Sequence, residues 1–342
     1  MTKHLSRRDF IKVGSLGALG ALGIATLNPK EASHSGHVIQ APTPMSHSDI
    51  PGVNGEVNHE RNGFNPTDIL TDFDYGKVST LEDGRTLREY EVTVINKELE
   101  IMPGIVFPAW TYNGRIPGPT LRCTEGDRIR IHLRNGSNHP HTMHFHGFHP
   151  GEMDGVPGSG PGGNIEPGQS FIYEFDAEPF GLHLYHCHAF PLARHIAKGL
   201  YGAFIVDPRD GRPSVDREMI MVMSGFDVDF DDENDFYAVN AIPFHYQNHP
   251  IQIRVGEKAR IYLVNILEFD LLNSFHLHAN FFHYYPTGTS LTPSEFTDTI
   301  IQGQAQRGIL EFSYKYPGMY MFHAHVTEFA ELGWNGMFEV LP

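Results

Sequence analysis

Gly181-Leu-His-Leu-Tyr-His186-Cys187-His188 returns late in the chain as Gly318-Met-Tyr-Met-Phe-His323-Ala-His325. Upstream, Gly126-Asp-Arg-Ile-Arg-Ile-His-Leu-Arg-Asn135 is matched by Gly256-Glu-Lys-Ala-Arg-Ile-Tyr-Leu-Val-Asn265. Two matched pairs in the same order are an internal repeat of domain length. Around them run short alternating segments bounded by turn residues: 87–95, 128–133, 170–175 and 201–206, then 218–223, 259–265, 308–312 and 336–340. The predicted class is therefore all-β, with two similar Greek-key β-sandwiches and one helical turn within 192–200. The expected layout is an export signal at 1–32 and an irregular His/Pro-rich arm at 33–65. The first sandwich follows at 66–207, a linker at 208–217 and the second sandwich at 218–342.

Composition agrees. The 342 residues are 40% hydrophobic, with 35 glycines and 24 prolines, which suits a turn-rich globular protein. A formal net charge of −16 excludes nucleic acid as a partner. It is compatible with cationic substrates, although acidic surfaces commonly serve solubility alone. Ser6-Arg7-Arg8-Asp9-Phe10-Ile11-Lys12, followed by the apolar run 13–27, reads as a twin-arginine signal. That run is short and glycine-rich for a membrane span, so cleavage near Ala32 and a periplasmic or secreted protein are expected. The arm histidines His34, His37, His47 and His59 could bind stray metal but are better read as exposed loop residues. Of the two cysteines, Cys123 reads as a buried strand thiol or a turn start. The two can form one disulfide, but Cys187 between two histidines is better read as a metal thiolate.

Four His-x-His pairs carry the chemistry: His144/His146, His186/His188, His276/His278 and His323/His325. In a strand, residues i and i+2 share a face, so each pair presents two imidazoles to one cavity. Eight such imidazoles suit a cluster of several copper ions. Cys187 points to the opposite face. With His141 and His195 it supplies the trigonal plane of a blue copper site, and Leu200 falls where an axial ligand would sit. Leucine cannot coordinate, which favours Cu(I) and raises the reduction potential. The bland alternative makes His195 a surface histidine.

These spacings, His141-x-x-His144-x-His146 and His186-Cys187-His188 followed by His195 and Leu200, resemble the two-domain, laccase-like multicopper oxidases. The resemblance implies cupredoxin-like domains and about four coppers per chain: one type 1, one type 2 and two type 3. His144 and His276 would bind the type 2 copper. His146, His186, His188, His278, His323 and His325 would bind the type 3 pair. It also implies a homotrimer with the clusters between subunits, and a small reductant, phenolic, aromatic or metallic, whose electrons pass through Cys187 to dioxygen. Asp154 would relay protons near the type 2 copper, with Glu328 or Glu331 on the type 3 side. In the second domain Asn273, Ala324, Phe329 and Trp334 stand where His141, Cys187, His195 and Leu200 stand in the first, so only one blue site is expected. The acidic run Asp227–Asp235 reads as a solvated loop or a cation-attracting surface.

Two rivals remain. A copper nitrite reductase needs only three histidines at its second site, and a non-catalytic electron-transfer protein needs none of the eight.

Overall fold

The computed structural model describes residues 55–342 apart from Phe148. The expected export signal and the arm up to residue 54 lie outside the described residues. The end of the arm departs from expectation by forming a helical turn, α1 (His59–Asn62). The Asn58 side chain accepts the Arg61 N–H at its start, and Gly63 ends it at φ 71°. Asn62 then anchors it by bonding the backbone of Glu100 through both its amide nitrogen (2.8 Å) and its oxygen (2.9 Å). A second turn, α2 (Pro66–Ile69), leads into the first sandwich.

That sandwich comprises β1 (Phe73–Asp74), β2 (Lys77–Thr80), β3 (Thr86–Met102), β4 (Ile105–Tyr112) and β5 (Thr120–Thr124). It continues with β6 (Arg128–Asn135), β7 (His144–Phe145), β8 (Ser170–Asp176), β9 (Gly181–His186), α3 (Leu192–Ala197) and β10 (Tyr201–Asp207). Its sheets run β1-β5-β10-β9-β7 and β2-β3-β6-β8, with β4 paired to β3. The second sandwich opens with β11 (Arg217–Phe226), β12 (Phe236–Val239), α4 (His245–Asn248), β13 (Ile251–Arg254) and β14 (Ala259–Asn265). After these come β15 (Leu272–Leu277), β16 (Phe282–Pro286), β17 (Glu295–Thr297) and β18 (Thr299–Gly303). It closes with β19 (Arg307–Phe312), β20 (Gly318–His323), α5 (Thr327–Glu331) and β21 (Asn335–Leu341). Its sheets run β12-β11-β14-β19-β16-β17 and β13-β21-β20-β15-β18.

Half-burial sets the pattern of the outer strands. Along β6, Ile129, Ile131 and Leu133 point inward while Arg128, Arg130 and Arg134 do not. β14 is instead buried on both faces, which its continuous apolar run reflects. One face fills the second sandwich with Ile261 and Leu263; the other sends Tyr262 and Val264 into a seam shared with Leu184 and Ile205 of the first. A charged lattice closes the seam: Arg122 holds Asp207 and Glu218, and Glu218 also bonds Arg260 and the Tyr262 hydroxyl. Among the described residues no helix is long and apolar enough to cross a membrane.

The sequence repeat is a structural repeat. β3 runs parallel to β6 as β11 does to β14, and β5 to β10 as β13 does to β21. Tyr185 faces Gly202 across β9 and β10, as Phe322 faces Gly336 across β20 and β21. A Cβ on either glycine would sit 2.3 Å from the facing ring, so the absence of a side chain there is required in both halves.

Candidate metal centres

The thiol site lies at the end of the first sandwich. Cys187 follows β9, His141 precedes β7, and α3 delivers His195. All three are buried. Cys187 Sγ lies 3.2 Å from His195 Nδ1 and 3.8 Å from His141 Nδ1, and the two nitrogens are 3.1 Å apart. Bonds of about 2.0–2.3 Å to one first-row metal ion give such a triangle. Burial lowers His141 to about 3 and His195 to about 4, so both imidazoles are neutral electron-pair donors at neutral pH. Burial raises the Cys187 thiol to about 11 despite the Thr142 and Ala189 amides, so its thiolate calls for a cation. The Thr142 N–H donates to Sγ at 3.3 Å, and the Cys187 N–H donates to the Leu200 carbonyl at 3.0 Å. Leu200 is fully buried in the apolar cluster behind the thiol.

On the other face of the same strands sit the first four pair histidines. β7 sets His144 directly opposite His186 of β9. The His146 and His186 Nε2 atoms converge to 3.0 Å, and the His186 Nδ1 is held at 3.0 Å by the Cys187 carbonyl. His144 rings contact those of His146, His186 and His188. The His144 Nδ1 faces the Asp154 carbonyl at 2.8 Å and its carboxylate at 3.0 Å, which puts the proton on Nδ1 and leaves Nε2 as a donor pair. His188 Nδ1 is buried without a partner. Nitrogens so placed fit copper: their partners occupy one ring atom and leave the other pointing at its neighbours.

The second sandwich repeats this quartet. His276 faces His323, and the His278 and His323 Nε2 atoms again lie 3.0 Å apart. The His323 Nδ1 meets the Ala324 carbonyl at 2.7 Å. Here the Asp298 carbonyl (3.0 Å) and the Thr299 hydroxyl (2.8 Å) hold the His276 Nδ1. Among the described residues the thiol site has no second copy. The Ala324 N–H donates to the Trp334 carbonyl as Cys187 does to Leu200, and Trp334 N–H to Phe329 as Leu200 does to His195. Phe329 and Trp334 fill the pocket, and Asn273 takes the His141 place. Hydrogen bonds and ring contacts run within each quartet; among the described residues none joins the two.

Several contributors escape the sequence motifs. Thr142 Oγ1 accepts the His188 N–H at 2.9 Å, and Ser274 Oγ does the same for His325 at 2.7 Å. The signal was their position, each following an aligned pair, His141 and Asn273. Trp110 lies with its ring centroid 4.7 Å from His195 and 5.2 Å from His141, and 9% of its surface remains exposed. Glu328 and Glu331 lie on α5, just past His325. The acidic run is not simply solvated: Asp227 is buried and accepts the N–H groups of Phe230, Asp231 and Asp232. Lys198, just after α3, places its ammonium over the Phe230 ring at 4.4 Å, so the run packs beside the helix carrying His195. Both cysteines are free, and Cys123 is buried in β5.

Comparison with known proteins agrees with this geometry. Two family models, each described as "Multicopper oxidase", match residues 94–211 and 218–342. A solved structure titled "Crystal structure of multicopper oxidase" is 63% identical, with a TM-score of 0.82, over 83% of this chain and 100% of that one. A copper nitrite reductase structure from Nitrosomonas europaea is 26% identical, TM-score 0.68, over 74% of this chain and 94% of that one. The copper-containing nitrite reductase of Neisseria meningitidis serogroup A is 27% identical over 69% of this chain. The chain spans 64% of that relative's length. With its two cupredoxin-like sandwiches and its two matched domains, the chain belongs to the multicopper oxidase family.

Proposed function

We propose that this protein is a laccase-like oxidase, taking single electrons from small phenolic, aromatic or metal-ion reductants and reducing dioxygen to water. Its ligands would be His141, Cys187 and His195 for the blue site, Leu200 capping it without binding, and the two quartets for the cluster. Copper, about four ions per chain, would supply the redox chemistry: one-electron transfer at the blue site and oxygen reduction at the cluster.

The observation that carries this reading is Cys187 standing between His186 and His188, so that one strand end serves both sites. The chain's own part is mostly positional. Buried Leu200 and its apolar neighbours keep water from the thiol. Trp110 covers the outer edge of His195 and His141, where a donor would approach. Asp154 fixes the His144 ring and offers a carboxylate for proton transfer. Glu328 is the corresponding proposal beside His325.

Each quartet presents only four imidazoles and is unjoined to the other, so we place the complete cluster between copies of the chain, in a head-to-tail homotrimer. Exposed apolar side chains on the second sandwich, Phe296 (63%) and Ile301 (67%) among them, support a protein contact there. The twin-arginine signal supports a periplasmic or secreted location.

A His276→Ala/His278→Ala variant tests the reading. It should keep the blue absorption, lose cluster copper and lose oxygen uptake by at least about a hundredfold. Undiminished oxygen uptake by the variant would overturn the cluster assignment, and no oxygen uptake by the wild-type protein would overturn the oxidase reading. Nitrite reduction by wild-type protein without oxygen uptake would favour the reductase instead.

A further inference from the structure

The rings of His59, His245 and His249 meet far along the chain from any of the four His-x-His pairs. His245 opens α4 and His249 follows its end, one helical turn apart, so both project on one side. His59, the first residue of α1, comes from the segment ahead of the first sandwich. The ring centroids of His245 and His249 are 4.7 Å apart, and those of His59 and His245 are 5.3 Å apart. One potential ligand atom from each of the three lies within 4.8 Å of the others. Nitrogens sharing one tetrahedral ion stand about 3.3 Å apart, so modest ring rotation closes the set.

Further features belong to a ligand site rather than to simple packing. The His59 Nδ1 is buried with no hydrogen-bond partner, a cost unless something accepts or binds it. The His245 Nε2 is engaged by the Thr67 hydroxyl at 2.8 Å, which orients the ring and frees its Nδ1. Phe244, immediately before α4, holds φ 59°, and Asn240 and Ala241 hold φ 54° and 81°. That is strained backbone for residues with side chains, gathered in the loop that aims His245. Glu56 supplies an oxygen 3.5 Å from the His249 Nε2, available as a fourth group. Burial, then the neighbouring His249, lowers His59, and burial lowers His245 to about 3, so these two rings are neutral donors at neutral pH.

We propose that His59, His245 and His249 form a further metal site for one borderline divalent ion, copper(II) or zinc(II), fastening the segment before the first sandwich to the second sandwich. Imidazole suits both ions, and a carboxylate completes either coordination set. The site shares no residue with the thiol centre or the quartets, so it stands whether or not the oxidase reading does. An ion there cross-links residues distant in sequence and selects the folded chain, so it raises thermal stability by mass action.

The test uses the full chain already loaded with copper. It is equilibrated in separate arms with excess copper(II) or zinc(II), freed of unbound metal, and counted for bound ions. Wild-type protein should retain about one more ion per chain than His249→Ala or His59→Gln in at least one arm. Its Tm should rise with that ion while the variants' does not, and the blue band of all three should be equal. The arm that shows the difference identifies the ion. Anomalous diffraction at the copper and zinc edges from wild-type crystals provides a check independent of whether the variants fold. Equal metal content in both arms, or no anomalous peak among the three rings after soaking, overturns the proposal.

Discussion

Asp154 lies 3.0 Å from the His144 Nδ1 through its carboxylate, and Gly155 immediately after it turns at φ 68°. A Cβ on Gly155 would lie 2.3 Å from the Met143 carbonyl, so the turn that aims Asp154 depends on that glycine. In Asp154→Asn the amide oxygen can still accept a hydrogen bond from the His144 Nδ1–H, but the charge and the capacity to take up the proton are gone. Copper content and blue absorption should persist while kcat falls roughly 10–100-fold. An unchanged kcat would remove Asp154 from proton delivery. At this scale the motif residues were legible because strand geometry forces i and i+2 onto one face. Trp110 and Asp298 were not legible as contributors, and Thr142 only by its place after His141, because each acts on a residue brought near only by folding. The grouping of His59 with His245 and His249 was missed for the same reason, although His245-x-x-x-His249 is itself a helical-spacing signal.

Among the elements, β11 begins on the group that ties the two sandwiches together. Burial pushes the Glu218 carboxyl up, but the hydrogen bond and charge of Arg122, with Tyr262 and Arg260, outweigh it and hold it at about 2 rather than 4.5. A carboxyl depressed in the folded state stabilises above its unfolded value and loses that contribution as pH falls towards its folded one. Glu218→Gln should therefore cost about 3 kcal/mol at neutral pH, with the gap to wild type narrowing from pH 4.5 towards pH 2. Urea unfolding across that range measures it; a gap independent of pH would mean the lattice contributes through packing alone. The strands themselves were readable from alternation, and β14 ran the predicted span 259–265. α1 and α4 were not, since four-residue helices carry too little periodicity, and the arm's polar composition suggested a loop.

For the whole molecule, the repeat forecast two sandwiches, and the two halves share strand pairings, aromatic–glycine contacts and the backbone bonds around residues 187 and 324. Within one chain the two quartets sit on separate sheets, and among the described residues no hydrogen bond or ring contact joins them. In the proposed trimer, catalysis is a property of the assembly. Co-expression of two defective chains tests this most directly, one carrying His146→Ala/His186→Ala and the other His276→Ala/His278→Ala. Each alone should be inactive. Purified mixed assemblies should recover roughly a quarter of wild-type oxygen uptake, since random association pairs an intact first-sandwich quartet with an intact second-sandwich one at that frequency. Mixed assemblies as inactive as their parents would contradict a cluster built between chains.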